Sequence, residues 1–75
     1  MRSEPILKKL GAEIRERRRA RNLSQLKLAE AAGVNSNTIQ RLENAETDSQ
    51  ILTLFNVALG LNMPLSELIA GAERR

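Results

Sequence analysis

Apolar residues recur at helical spacing along almost the whole chain. At about 100° per residue, Leu7, Leu10 and Ile14 share one face, and Arg18 falls on that same face. This predicts a first helix from about Pro5 to Arg21. Ser3 is its expected cap, Pro is tolerated in a first turn, Asn22 ends it, and Leu23 packs beneath it. A second helix is predicted from the N-cap Ser24 to Gly33, with Leu28, Ala29 and Ala32 inward. A third follows the N-cap Asn35 and runs to about Asn44, with Ile39 and Leu42 inward and Glu43 at the core border. The fourth is expected to begin near Asp48 or Ser49 and end near Leu61, with Asn62 as a left-handed stop. Its inner face is read as Ile51, Leu54, Ala58 and Leu61. The fifth is short, from Leu65 to Ala70, closed by Gly71, and Glu73 to Arg75 are expected to be loose. Period-2 alternation and β-branched runs are absent, so the expected class is all-α.

Only Gly33, Val34 and Asn35 separate the second and third helices. So short a turn, with a Gly, forces the sharp crossing of a helix-turn-helix over residues 24–44. The 75 residues form one domain, 1–75, without repeats or low-complexity linkers. A domain of this size buries roughly 60% of its unfolded surface, so self-association would help it.

Composition narrows the chemistry. There is no Cys and no His, which removes the usual zinc, thiolate and His-assisted nucleophile sites. The four Gly residues are scattered, so no phosphate-cradling loop is present, and so short a chain has little room for a deep pocket. An enzyme is therefore not expected, nor any metal or cofactor. No apolar run is long enough for a membrane helix, and no signal-peptide core precedes the first helix, so the expected location is the cytoplasm, at the nucleoid. Charge is uneven. Residues 1–31 hold nine basic and four acidic groups, whereas 32–75 hold three and five. One basic half suggests a polyanionic partner.

The third helix carries the candidate chemistry. Ser36, Asn37, Gln40, Arg41 and Asn44 fall within an arc of roughly 140°. All can hydrogen-bond and none is acidic. Asn and Gln pair bidentately with adenine, and Arg with guanine, so this face suits base edges in a major groove. At the start of the second helix, Gln25 and the free backbone N–H groups offer a seat for a phosphate. Asn35 and Arg19 are further candidate phosphate contacts.

The stretch LGAEIRERRRARNLSQLKLAEAAGVNSNTIQRLEN, followed by ILTLFNVALGLNMPLSELI, resembles the lambda-repressor/Cro-type helix-turn-helix domains, also called the XRE family. The LSQ…LA…AGV…TI..LEN core is its most specific part. The resemblance implies a five-helix fold with the third helix as recognition helix. By matching position, Ser36, Asn37 and Arg41 are implied base readers, Gln25 and Asn44 phosphate contacts, and Arg18 with Glu43 an internal ion pair. Four positions depart from the pattern. Ala45 replaces a usual Gly, which shifts the left-handed turn to Asn44 as the expected site. Ser49 replaces a frequent Pro, Asn62 a Gly, and Leu26 a charged residue.

The fourth helix also carries Leu52, Phe55 and Leu59, widening its apolar arc to roughly 220°. The expected consequence is a self-complementary homodimer patch of Leu52, Phe55 and Leu59 with Leu65 and Ile69 beside it. The opposing reading has the fifth helix folding over this stripe. The leading function is a dimeric, sequence-specific double-stranded DNA binder that represses transcription. An antitoxin, which would also mask a toxin protein with Leu26 and the stripe, is the alternative. A protein-interaction module without DNA binding is a further one.

Overall fold

The computed structural model describes residues 3–75. Five helices are present: α1 (Ser3–Ala20), α2 (Gln25–Ala32), α3 (Ser36–Glu43), α4 (Ile51–Gly60) and α5 (Leu65–Glu73). No strand occurs among the described residues. α1 packs on α3 and α5, and α2 packs on α3 and α4. Each helix sends one fully buried aliphatic side chain to the centre: Ile14, Leu28, Ile39, Val57 and Leu68. Burying such a side chain contributes about 1.5–3 kcal/mol, so these five anchor the arrangement. No single helix among the described residues is long and apolar enough to cross a membrane. The most apolar pair, α4 and α5, is bent by 99° at its junction.

Four of the helices end in the same local device. Asn22, Gly33, Ala45 and Asn62 all take left-handed φ values, between 57° and 71°. In each case the following residue donates its N–H back across five residues, as Leu23 does to the Arg18 carbonyl at 3.1 Å and Glu46 to the Arg41 carbonyl at 2.8 Å. This is the Schellman closure, which satisfies carbonyls the helix leaves unpaired. Three of the four following residues, Leu23, Val34 and Met63, also pack against the core. Turn chemistry and core packing thus agree.

Several boundaries differ from expectation. The helical spiral of α1 already includes Ser3, and the expected Ser3 cap lies outside what the structure describes. α4 starts at Ile51, not at Asp48 or Ser49. The hydroxyls of Thr47 and Ser49 donate to the carbonyls of Asp48 and Gln50, so neither caps a helix. Ala45, not Asn44, takes the left-handed turn. Asn44 rests at φ −89° and ψ 4°, because its N–H bonds the Gln40 carbonyl and continues the helix.

The C-terminal end is also revised. Gly71 does not stop α5, which continues to Glu73. A Cβ on Gly71 would overlap the Glu13 carboxylate, so this glycine permits close approach rather than termination. Nor is Arg75 loose. Its guanidinium donates to Glu13 at 2.9 Å and to Glu16. Glu13 is buried and also accepts from Arg17 at 2.7 Å.

Candidate nucleic-acid interface

Local chemistry sets the crossing of α2 and α3. Ser24 Oγ accepts the Lys27 N–H at 3.0 Å and Asn35 Oδ1 accepts the Asn37 N–H at 2.8 Å, so both predicted N-caps form. Gly33, left-handed with φ 71°, turns the chain between them, and nothing lies near its missing Cβ. Conformation, not crowding, therefore demands the glycine there.

α3 presents Asn37, Gln40, Arg41 and the adjoining Asn44 to solvent, and Ser36 is half-buried. The opposite side buries Ile39 and Leu42. The side chains of Asn37, Gln40 and Arg41 are held by no other part of the chain among the described residues. They form a row of free donors and acceptors on a rigid support. Asn35 has committed its carbonyl to its own cap and retains its amide N–H₂ for an outside acceptor.

Glu43 closes α3 from below. Its side chain is fully buried and accepts from Arg18 in a two-pronged pair, Nε to Oε2 at 2.6 Å and Nη2 to Oε1 at 3.0 Å. The Arg18 fork also donates to the Leu23 carbonyl at 2.8 Å. Arg15 Nε and Gln25 Nε2 add bonds to Oε1 at 3.3 and 3.1 Å. One carboxylate thereby ties α1, α2 and α3 together. Burial opposes its ionisation. The hydrogen bonds from Arg18 and Gln25, the Arg18 charge and the Arg15 bond outweigh burial and hold its pKa below the ordinary carboxylate value.

This network revises two readings. Gln25 is half-buried and its amide donates inward to Glu43, so the side chain expected to face a phosphate is instead engaged within the fold. Arg15 was not singled out from the sequence, yet it reaches the Glu43 carboxylate, the Glu43 carbonyl and Asn44 Oδ1. Its spacing of three from Arg18, on neighbouring turns of one helix, was the available sign. The charge reading is narrowed as well. Arg15, Arg17 and Arg18 are committed to Glu43 and Glu13. Arg19, Arg21 and Arg41 are exposed and make no ion pair among the described residues. The cationic surface is therefore smaller than the count of arginines suggests.

The apolar stripe of α4 is uncovered. Leu52, Phe55 and Leu59 are 67%, 50% and 68% exposed, and Ile51, expected inward, is 65% exposed. At about 100° per residue these four span an arc of roughly 100°. Val57 takes the inner place instead, beside Leu54 and Ala58. Leu65 and Ile69 of α5 are only half-buried and pack against the core. α5 leaves the stripe bare because its own apolar side is engaged by α1 and the core.

The helix-turn-helix family model matches residues 14–68. The chain is 33% identical over 67 residues to the HTH-type transcriptional regulator SutR of Escherichia coli (strain K12), covering 89% of this chain and 38% of SutR. It is 33% identical over 61 residues to the ImmF control region 10 kDa protein of Bacillus phage phi105, covering 81% of this chain and 68% of that protein. The chain thus spans well under half of the first relative. Among solved structures, the restriction-modification controller protein C.AhdI from Aeromonas hydrophila superposes with a TM-score of 0.80 at 29% identity, over 83% of this chain and 94% of that one. The clp gene regulator ClgR from C. glutamicum shares the fold, with a TM-score of 0.84 at 23% identity over 92% of this chain and 90% of that one.

Proposed function

Because this chain belongs to the helix-turn-helix family of DNA-binding regulators, its model matching residues 14–68, we propose that it acts as a dimeric, sequence-specific repressor with α3 in the major groove. The observation that carries this reading is the exposed, uncommitted face of Asn37, Gln40 and Arg41 on a helix locked from beneath by Glu43. Arg41 is the candidate guanine reader and Asn37 and Gln40 candidate adenine readers, with Ser36 at the edge. Backbone N–H groups at Gln25, the Asn35 and Asn44 amides and Arg19 are the candidate phosphate contacts that set the register.

Self-association is part of the proposal. Ile51, Leu52, Phe55 and Leu59 form an apolar stripe that a two-fold pairing would bury. Each domain measures 31 × 21 × 20 Å. Two side by side can set their recognition helices one DNA turn apart, about 34 Å. A second reading, an antitoxin that uses the same stripe and the exposed Leu26 to cover a toxin, is favoured by Leu26, which lies on a different helix from the stripe.

Fluorescence anisotropy with duplex from upstream of the protein's own gene, against a scrambled duplex, tests the reading over a salt series. The expected result is tighter binding to the upstream duplex and a loss of roughly 10³–10⁵ in affinity between 50 and 200 mM salt. Equal, salt-insensitive binding to both would refute it. Light scattering should give the mass of two chains at tens of micromolar, and one chain after Phe55→Glu. A co-purifying protein released by Leu26→Glu would favour the antitoxin reading.

A further inference from the structure

Arg15 occupies a position from which it decides the orientation of one candidate DNA contact. Its Nη2 donates to Asn44 Oδ1 at 2.9 Å and to the Glu43 carbonyl at 3.3 Å, while its Nε donates to the Glu43 carboxylate at 3.3 Å. A guanidinium has donors only. The atom of the Asn44 amide that faces Arg15 must therefore be the oxygen, and the N–H₂ group must point away. Asn44 is exposed, so that N–H₂ is offered to solvent at the C-terminal end of α3. The same reasoning sets Gln25 the other way. Glu43 accepts only, so the Gln25 N–H₂ faces inward and its carbonyl oxygen faces out.

A phosphate accepts and cannot donate at neutral pH. Of the Gln25 and Asn44 amides, only Asn44 is held with its donors outward. We infer that Arg15 is a positioning residue for DNA binding: it aims the Asn44 amide at a backbone phosphate without touching the phosphate itself. Arg15 is anchored for this work. Its Nε is held by a carboxylate that is fully buried and shared with Arg18, and its fork spans both the side chain and the backbone of the last turn of α3. Lys could not replace this geometry, since a single ammonium lacks the planar fork.

The inference rests on the DNA-binding reading, and the experiment separates the two. A 20-base-pair duplex is first selected from a random pool by the wild-type chain. Failure to enrich any duplex over random sequence overturns the DNA reading, and this inference with it. With an enriched duplex in hand, affinity is measured by anisotropy for wild type, Asn44→Ala, Arg15→Met and the double variant. Asn44→Ala and Arg15→Met should each weaken binding about tenfold per protomer, the effect of one charge-assisted hydrogen bond. The double variant should be no weaker than either single one, and the salt slope should be unchanged throughout. Independent, multiplying losses would overturn the inference, as would a wild-type affinity for Arg15→Met. So would a slope reduced by about 0.9 per protomer in Arg15→Met, which would mean that Arg15 meets a phosphate directly. Should Arg15→Met fail to fold by circular dichroism, Arg15→Lys enters the same cycle. It keeps the charge beside Glu43 and loses the second prong.

Discussion

Gly11 of α1 lies directly against the carbonyl oxygen of Leu42 at the end of α3. A Cβ built on Gly11 would overlap that oxygen and come within 2.8 Å of the Glu43 carbonyl oxygen. Both obstacles are backbone, so neither can swing aside. α1 and the recognition helix are therefore at the closest approach their main chains allow. Gly11→Ala should destabilise the fold by about 1–3 kcal/mol through overpacking, despite the better helix propensity of Ala. Urea unfolding checks this. A variant as stable as wild type would show that the two helices are not so tightly apposed.

Glu43 is the common counter-charge for Arg18 and Arg15. Removing it leaves two guanidinium groups unbalanced, one of them 11% exposed. Glu43→Ala should cost about 3–5 kcal/mol, whereas Arg18→Met combined with Glu43→Leu should cost less than the two single losses together. Denaturant midpoints for Arg18→Met, Glu43→Leu and the double variant decide the matter. Strict additivity would mean that the pair is not coupled.

Acid should weaken the fold through the same carboxylates. Glu43 and Glu13 both titrate below their ordinary value of 4.5. Burial opposes ionisation at Glu13 too, and the bonds from Arg17 and Arg75 overcome it. The folded chain then holds fewer protons than the unfolded one in this range. The stabilisation is complete above the ordinary value of 4.5 and is lost as pH falls through the depressed pKa. Thermal midpoints should be level from pH 7 to about 5.5 and fall steeply below about 4.5. Glu43→Gln should lower the midpoint at pH 7 and reduce the acid slope. An unchanged slope would contradict the assignment.

Ala45 bears a left-handed φ of 57° directly after α3. That conformation costs an L-residue with a Cβ roughly 1–2 kcal/mol, part of which Gly returns as unfolded-chain entropy. Ala45→Gly should stabilise by about 0.5–1 kcal/mol and raise the melting midpoint by a few degrees. DNA affinity should stay unchanged, because the turn already has the shape that Gly would adopt. Calorimetry showing no gain would mean that the strain is relieved elsewhere.

What the sequence by itself determined are the features set within one turn of helix. The caps at Ser24 and Asn35, the helix ends at Asn22 and Gly33, the left-handed stop at Asn62, and the inward positions of Ile14, Leu28 and Ile39 follow from short-range sterics and a 3.6-residue period. The polar face of α3 was legible for the same reason. Arg18 and Glu43 were paired by the family resemblance, and their helical positions agreed with it. Tertiary structure alone decided the rest, because those features join residues far apart in the chain. Gln25 turns inward across 18 residues, Arg15 reaches Asn44 across 29, and Arg75 is fastened to Glu13 across 62. Gly71 reads as a helix stop until Glu13 is seen against it. Beside Arg18, the other arginines of α1 read as cationic surface until Arg15 and Arg17 are found spent on the buried carboxylates of Glu43 and Glu13. A local pattern states which side chains are charged. Only packing determines which of those charges still face the solvent.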